Sequence, residues 1–335
     1  MIVDTDAAAT VTPTKPAVVV VLVGETTRAA NWQLSGYGRE TTPNLARLVR
    51  DAGVISFPEV AACGTSTDVS LPCMLARIGR SDYDRERIIS EEALPGLLQR
   101  AGMNVLWIDN QSGCKGTCAG VPNRNPEQDP EDCPDGRCLD TVFVKETEKT
   151  LDAALAGDPS KPTVLFLHMY GQHGPAYYVS SKEADKVFKP ECRSPDLTSC
   201  RREEIINAFD NSVPTTDHAV AGVMEVLMKA EREGKASGAV VFIPDHGESL
   251  GEGGLYLHGA PYLIAPKEQT IVPMAVWVGD SFAKDFGVDV DAIRAKAAEN
   301  AKKPGSVTHE HLYPSIMSML GVKGSTYRAE WDWQK

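Results

Sequence analysis

The run Ala17-Val18-Val19-Val20-Val21-Leu22-Val23 constrains the fold more than any other part of this 335-residue chain. It has no polar position, so it cannot be a strand with one face in water. It is also far shorter than the ~20 apolar residues that a bilayer-spanning helix requires. Valines are stiff at χ1 and favour extended backbone, and a strand apolar at every position is one covered on both faces. Gly24 ends the run. Four more segments share its character: Met103–Ile108, Thr163–Met169, Ala239–Pro244 and Ile271–Gly279. Short, rich in β-formers and bounded by turn residues, they predict the strands of a largely parallel sheet.

Helical signals fall between the strands. Thr42 suits an N-cap and Pro43 a first turn, and Leu45, Leu48, Val49 and Ala52 recur at helical spacing before Gly53. Further helices are expected over Glu91–Ala101 and Thr141–Leu155. The stretch Arg201–Glu233 is expected to hold two helices, divided at Pro214. Alternation of this kind means an α/β fold with helices on both faces of the sheet. Residues 112–137 hold four cysteines with several prolines and asparagines and no apolar period, which predicts a long excursion pinned by disulfides. Residues 1–16 lack the basic start and apolar stretch of a signal peptide and read as a linker. Residues 17–335 read as one domain, since no boundary interrupts them.

Composition excludes some functions. Lys plus Arg number 34 against 46 for Asp plus Glu, a formal charge of −12. A nucleic-acid clamp needs a basic face to displace counterions, so nucleic acid is not an expected partner. A local cationic centre is compatible with that balance. The eight cysteines fall as neighbours: Cys63 and Cys73, Cys114 and Cys118, Cys133 and Cys138, Cys192 and Cys200. An even count in short-range pairs points to disulfides and an oxidising compartment, although about 105 connectivities are formally open. The rival is a zinc knuckle of Cys114, Cys118, Cys133 and Cys138, whose spacings are wider than the usual C-x2-C.

Ligands of open α/β sheets gather beyond the carboxyl ends of the strands. Glu25 follows the first strand, His173 follows Thr163–Met169, and Asp245-His246-Gly247-Glu248 follows Ala239–Pro244, with His258 close behind. Alone, Glu25 would read as a solvated loop residue. Adjacent Asp and His directly after an apolar strand are harder to dismiss, and the set suits one or two Zn²⁺ ions with mixed N and O ligands. His218 reads as surface or packing. His309 and His311 fail the H-E-x-x-H zinc spacing, because Tyr313 stands where the second His belongs. A nucleophile is offered by Cys63-Gly64-Thr65-Ser66-Thr67-Asp68-Val69-Ser70, which opens a helix near Val69. A helix N-terminus favours a phosphate oxyanion. Thr65, Ser66, Thr67 and Ser70 are equally eligible by composition.

Together these motifs carry a resemblance. Glu25-Thr26-Thr27-Arg28, Cys63-Gly64-Thr65-Ser66-Thr67 with Pro72-Cys73, His173-Gly174-Pro175, and Asp245-His246-Gly247-Glu248-Ser249-Leu250-Gly251 with Tyr256-Leu257-His258-Gly259 are similar to the phosphoethanolamine transferases. That family includes lipid A-modifying and mobile colistin-resistance enzymes of the alkaline phosphatase and sulfatase superfamily. The similarity runs in order from about Val18 to Trp277. It implies an alkaline phosphatase/sulfatase-like fold, with Thr67 as nucleophile and zinc ligand beside Glu25, Asp245 and His246. His173 and His258 would serve the substrate phosphate or a second, weaker zinc, and Thr65, Lys115, His168 and Glu248 would line the head-group site. It also implies sequential disulfides, a phosphatidylethanolamine donor, a lipid A or similar envelope acceptor and resistance to cationic peptides such as polymyxin. An N-terminal set of membrane-spanning helices, absent from these residues, would hold such a domain at the periplasmic face of the bacterial inner membrane. Sulfatases instead convert a cysteine in C-x-[PS]-x-R to formylglycine. Cys73-Met74-Leu75-Ala76-Arg77 departs from that motif at Leu75. Other head-group transferases, phosphodiesterases and a non-catalytic zinc-bearing domain are the alternatives.

Overall fold

A computed structural model describes residues 1–335, the side chain of Asp135 apart. Its centre is a seven-stranded sheet built from β1 (Ala17–Gly24), β2 (Ile55–Ala61), β3 (Asn104–Asp109), β4 (Asn123–Arg124), β5 (Thr163–His168), β6 (Ser237–Pro244) and β7 (Ile271–Val278). Across the sheet they run β2-β7-β6-β1-β5-β3-β4. Only β7 runs against its neighbours, pairing antiparallel with β2 and β6. The largely parallel sheet is therefore as expected.

The valine run lies in the middle, and every residue of β1 is buried. Its side chains alternate between two cores, as the two-residue period of a strand requires. Val18, Val20 and Leu22 pack with Leu45 and Leu48 of α1 (Pro43–Asp51), Phe143 of α4 (Val142–Ala156) and Phe209 and Val213 of α5 (Arg202–Arg232). Val19, Val21 and Val23 pack with Leu97 and Leu98 of α3 (Leu94–Arg100), Ile293 of α6 (Val290–Lys302) and Ile316 of α7 (Leu312–Met319). α2 (Thr67–Met74) lies at the sheet's carboxyl edge and carries the hydroxyl-rich segment.

Several expectations change. The two helices expected around Pro214 are one continuous helix, α5. Proline there removes one backbone donor, at a cost of about 3 kcal/mol. Burial of Phe209, Val213, Val220, Met224 and Leu227 on both sides of it outweighs that loss. The excursion 112–137 sends Asn123–Arg124 back to the sheet edge, where it pairs with Trp107 and Ile108. Its cysteines form the disulfides Cys114–Cys118 and Cys133–Cys138, which excludes the zinc knuckle. Cys63–Cys73 and Cys192–Cys200 complete the sequential pairing. Residues 1–16, expected as a linker, run along the C-terminal segment. Ala8–Ala9 pair with Val322–Lys323, and buried Asp4 accepts hydrogen bonds from the Thr326 N–H at 2.8 Å and hydroxyl at 2.5 Å.

Candidate active site

Register brings the site together. Val23 pairs with His168, Gly24 with Pro244 and Asp109 with His168, so four parallel strands end at one level. The residues that follow emerge side by side. Asp245 N donates to Gly24 O at 2.9 Å, and Met169 N donates to Val23 O at 2.9 Å. Glu25, Asp245 and His246 are fully buried, and a donor atom from each lies within 4.8 Å of the others. The turn after Glu25 is tight: Thr26 has φ 52°, a left-handed conformation uncommon for a side chain of its shape. Gly171 presses against it from the β5 loop.

Thr67 is the first residue of α2, two residues earlier than expected, and follows an extended Ser66. Its hydroxyl donates to Glu25 Oε2 at 2.8 Å and lies 3.3 Å from His246 Nε2. His246 Nδ1 faces the Gly247 carbonyl at 2.8 Å, which leaves Nε2 turned to Glu25 Oε1 at 3.2 Å and Asp245 Oδ2 at 3.5 Å. Those two carboxylate oxygens are buried and accept no hydrogen bond. Burial disfavours the charge of the imidazole, but Asp245 and Glu25 push its pKa up to about 10. Burial works against the Glu25 carboxylate too, yet His246 holds it at about 2. Asp245 is pushed up to about 6 by burial and by the Glu25 charge. Two unpartnered carboxylate oxygens facing one imidazole nitrogen fit a divalent metal, and the N/O set suits Zn²⁺.

Further side chains surround this centre. His168 on β5 is buried, with Nδ1 held by Asp109 Oδ2 at 3.0 Å and Nε2 unpartnered. Burial disfavours its charge, but Asp109 raises its pKa. Asp109 also accepts from Trp107 Nε1 at 2.9 Å, and despite its burial His168 holds it down at about 2. The His258 ring lies 4.5 Å from that of His246 and 5.8 Å from that of His173. Lys115 Nζ lies 3.3 Å from Asp68, beside Thr67, and 2.9 Å from Ser112 Oγ. Thr65 and Glu248 act as braces. The Thr65 hydroxyl donates to Ala260 O at 2.6 Å, and Glu248 Oε1 pairs with His258 Nδ1 at 2.8 Å.

This constellation can be set beside known proteins. The sequence profile of the sulfatase family matches residues 17–322. The chain belongs to the sulfatase family. Within it, the chain is 37% identical over 315 residues to the phosphoethanolamine transferase EptA of Escherichia coli K12, covering 93% of this chain and 55% of that protein. It is 36% identical over 313 residues to the phosphatidylethanolamine transferase Mcr-1 of Escherichia coli, covering 92% of this chain and 54% of that one. The chain thus spans about half the length of the curated relatives it matches. Among solved structures, the soluble domain of lipooligosaccharide phosphoethanolamine transferase A from Neisseria meningitidis superposes with TM-score 0.88 at 39% identity, covering 99% of this chain and 96% of that one. The integral membrane form of that enzyme matches at the same score and identity, with 60% of its chain covered. An alkaline phosphatase superfamily protein from Vibrio parahaemolyticus shares the fold at TM-score 0.59. Cys73, the residue nearest to a sulfatase nucleophile motif, is bonded to Cys63 in this sulfatase-family chain.

Sequence reasoning missed three residues at this centre. Gln111 Nε2 donates to Glu25 Oε2 at 2.6 Å. It stands two residues beyond β3, so the strand-end rule that found Glu25 and Asp245 would have reached it. Ser70, eligible as a nucleophile by composition, instead donates to the Asp245 carbonyl and accepts from Gly64 N at 3.1 Å. His309, set aside for its spacing, is buried. Its Nε2 donates to Pro244 O at 2.9 Å and its Nδ1 accepts from Cys63 N at 2.9 Å. It ties the loop that leads to Thr67 to the strand that presents Asp245. His218 lies exposed on α5.

Proposed function

We propose that the chain is the catalytic part of a zinc-dependent phosphoethanolamine transferase, which moves the head group of phosphatidylethanolamine to a lipid A phosphate through a phosphothreonine on Thr67. The observation that carries this reading is the Thr67 hydroxyl, 2.8 Å from Glu25 and 3.3 Å from His246 at the start of α2. Zn²⁺ held by Glu25, Asp245, His246 and Thr67 would supply a Lewis acid that lowers the pKa of the hydroxyl and offsets charge on the phosphoryl group.

This chain's residues provide the rest. The Thr67 proton is given up to solvent, Oγ1 forms a bond to phosphorus, and the bond from phosphorus to the diacylglycerol oxygen breaks. His258, oriented through Nδ1 by Glu248, protonates the departing oxygen from Nε2. The N–H groups at the start of α2 face the phosphoryl oxygens with the positive end of the helix dipole. Lys115, His168 and His173 line the head-group side, where His173 meets phosphate or helps hold a second, weaker zinc. An acceptor phosphate, giving its proton to His258 Nε2, then attacks phosphorus; the bond from phosphorus to Oγ1 breaks, and a proton from solvent restores the Thr67 hydroxyl. Adding a cationic ethanolamine to lipid A weakens the attraction of polymyxin and other cationic peptides. Four disulfides suit the oxidising periplasm, and an N-terminal membrane anchor would place the domain on the inner membrane's periplasmic face.

Intact-protein mass after incubation with zinc and phosphatidylethanolamine tests the proposal. A phosphoethanolamine increment that disappears in Thr67→Ala is expected. Full transfer activity in that variant would sink the assignment, and head-group release without transfer to lipid A would make the chain a phosphodiesterase.

A further inference from the structure

Nine large apolar side chains are exposed among the described residues, and four of them, Leu255, Tyr256, Leu263 and Ile264, fall within residues 255–264. Leu263 is 94% exposed and Ile264 77%. Single exposed leucines need no explanation, but two adjacent aliphatic side chains left in water close in sequence to a site do. These residues flank His258 on both sides in sequence.

The segment beneath them is fastened to the nucleophile's approach. Gly259 N donates to Thr65 O at 2.7 Å, and the Thr65 hydroxyl returns to Ala260 O at 2.6 Å. Tyr262 O–H donates to Ala62 O at 2.7 Å. The Arg80 guanidinium lies 4.1 Å from the Tyr262 ring centroid and 4.9 Å from that of Tyr83. The base is thus held by buried backbone while the tip, Leu263-Ile264, stands in water.

We propose that this tip is a membrane wedge, in which Leu263 and Ile264, with Leu255 and Tyr256, enter a phospholipid bilayer and set the mouth of the site at head-group depth. The proposal rests on the transferase reading, whose donor is a membrane lipid. Three features favour a bilayer over another protein. Tyrosines flank the aliphatic residues, and amphipathic rings suit the head-group layer. Arg80 stacks on Tyr262 at the base of the tip, and exposed Lys267 follows Ile264 closely in sequence, cations of the kind that meet lipid phosphates. The net charge of −12 gives the chain as a whole no attraction to an anionic leaflet, so a contact of these residues with lipid rests on apolar insertion beside local cations.

Hydrogen exchange of the full chain with bound zinc tests the wedge. It is run with vesicles of phosphatidylcholine and phosphatidylglycerol, which lack the donor head group, and with vesicles containing phosphatidylethanolamine. Protection over residues 255–264 is expected in both. In flotation, Leu263→Ser/Ile264→Ser should weaken vesicle binding by about a hundredfold, tenfold for each ~1.4 kcal/mol of lost insertion, while Ile264→Trp keeps it. The double variant should also lose transfer from vesicle lipid and retain turnover of a water-soluble short-chain donor. No protection with either vesicle overturns the wedge, as does protection that depends on protein concentration without lipid, which would mark a contact between copies. Equal loss on both donors also overturns it, because the tip would then be shaping the site. If vesicles bind and no donor turns over, the transferase reading falls and the wedge stands.

Discussion

Glu248 binds His258 Nδ1 through one carboxylate oxygen at 2.8 Å and accepts the Tyr177 hydroxyl on the other at 2.9 Å. Glu248 and Tyr177 are both buried, so the bond between them is shielded from bulk water, while His258 is partly exposed. The pair leaves Nε2 as the uncommitted nitrogen of His258. Outer partners of this kind are worth about 10–100-fold in activity. Glu248→Gln is therefore expected to lower kcat for transfer toward the upper end of that range, and Tyr177→Phe toward the lower end. KM for the donor should change little in either variant. Steady-state kinetics beside thermal melts check this. A variant that loses activity only in proportion to its folded fraction would show that the network holds the fold and does not orient His258.

The strand-end rule grouped Glu25 with Asp245, and the structure brings them together because β1 and β6 stop in register, a consequence of parallel pairing that sequence pattern alone conveys. What it could not convey was partnership over distance. Four hydroxyls were eligible as nucleophile, and only the fold gives three of them their partners: Thr65 to Ala260, Ser70 to Asp245 and Thr67 to Glu25. β2 went unseen because Pro58 and Glu59 interrupt its apolar pattern, as an edge strand permits. Buried Asp4 was hidden for a different reason. Its partner Thr326 lies 322 residues away, and a stretch rich in Ala, Thr and Pro carries no local sign of packing.

Metal should stabilise the fold measurably. Glu25 Oε1 and Asp245 Oδ2 are buried with no hydrogen-bond partner, a costly arrangement that a cation relieves. Ligand present at about 100 times its Kd adds about 2.7 kcal/mol. Zinc is thus expected to raise Tm by several degrees, and a chelator to reverse the rise. His246→Ala should abolish the zinc-dependent part. Calorimetric scans with and without chelator decide it, and an unchanged Tm in the parent chain would argue against a metal at these residues.

Gly171 is needed where it stands. It has φ +56°, and a Cβ there would lie 2.2 Å from the Glu25 carbonyl oxygen and 3.0 Å from its carbonyl carbon. Left-handed backbone alone costs an L-residue roughly 1–2 kcal/mol. Gly36, at φ +93° with nothing within 4 Å of that position, isolates that backbone cost. Gly171→Ala is expected to destabilise the chain by more than Gly36→Ala does, and to lose at least tenfold in transfer through displacement of Glu25. Urea unfolding and kinetics on both variants provide the comparison. Equal effects would mean that the contact does not position the carboxylate.

His309 makes part of the stability depend on pH. Burial pushes its pKa down to about 3 from the ordinary 6.5, and the bond from Nε2 to Pro244 O only partly opposes this. Below 6.5 the unfolded chain binds a proton that the folded chain refuses until about 3. Stability from this residue is therefore complete above pH 6.5 and is lost as pH falls through that window, at up to about 1.4 kcal/mol per unit. Glutamine can accept from Cys63 N and donate to Pro244 O without titrating. His309→Gln should thus be less stable than the parent near neutrality, with the gap closing or reversing in acid. Urea unfolding of both chains between about pH 4 and 8, with chelator present so that metal release does not contribute, measures the gap. Parallel stability curves over that range would show that His309 takes no part in the acid response.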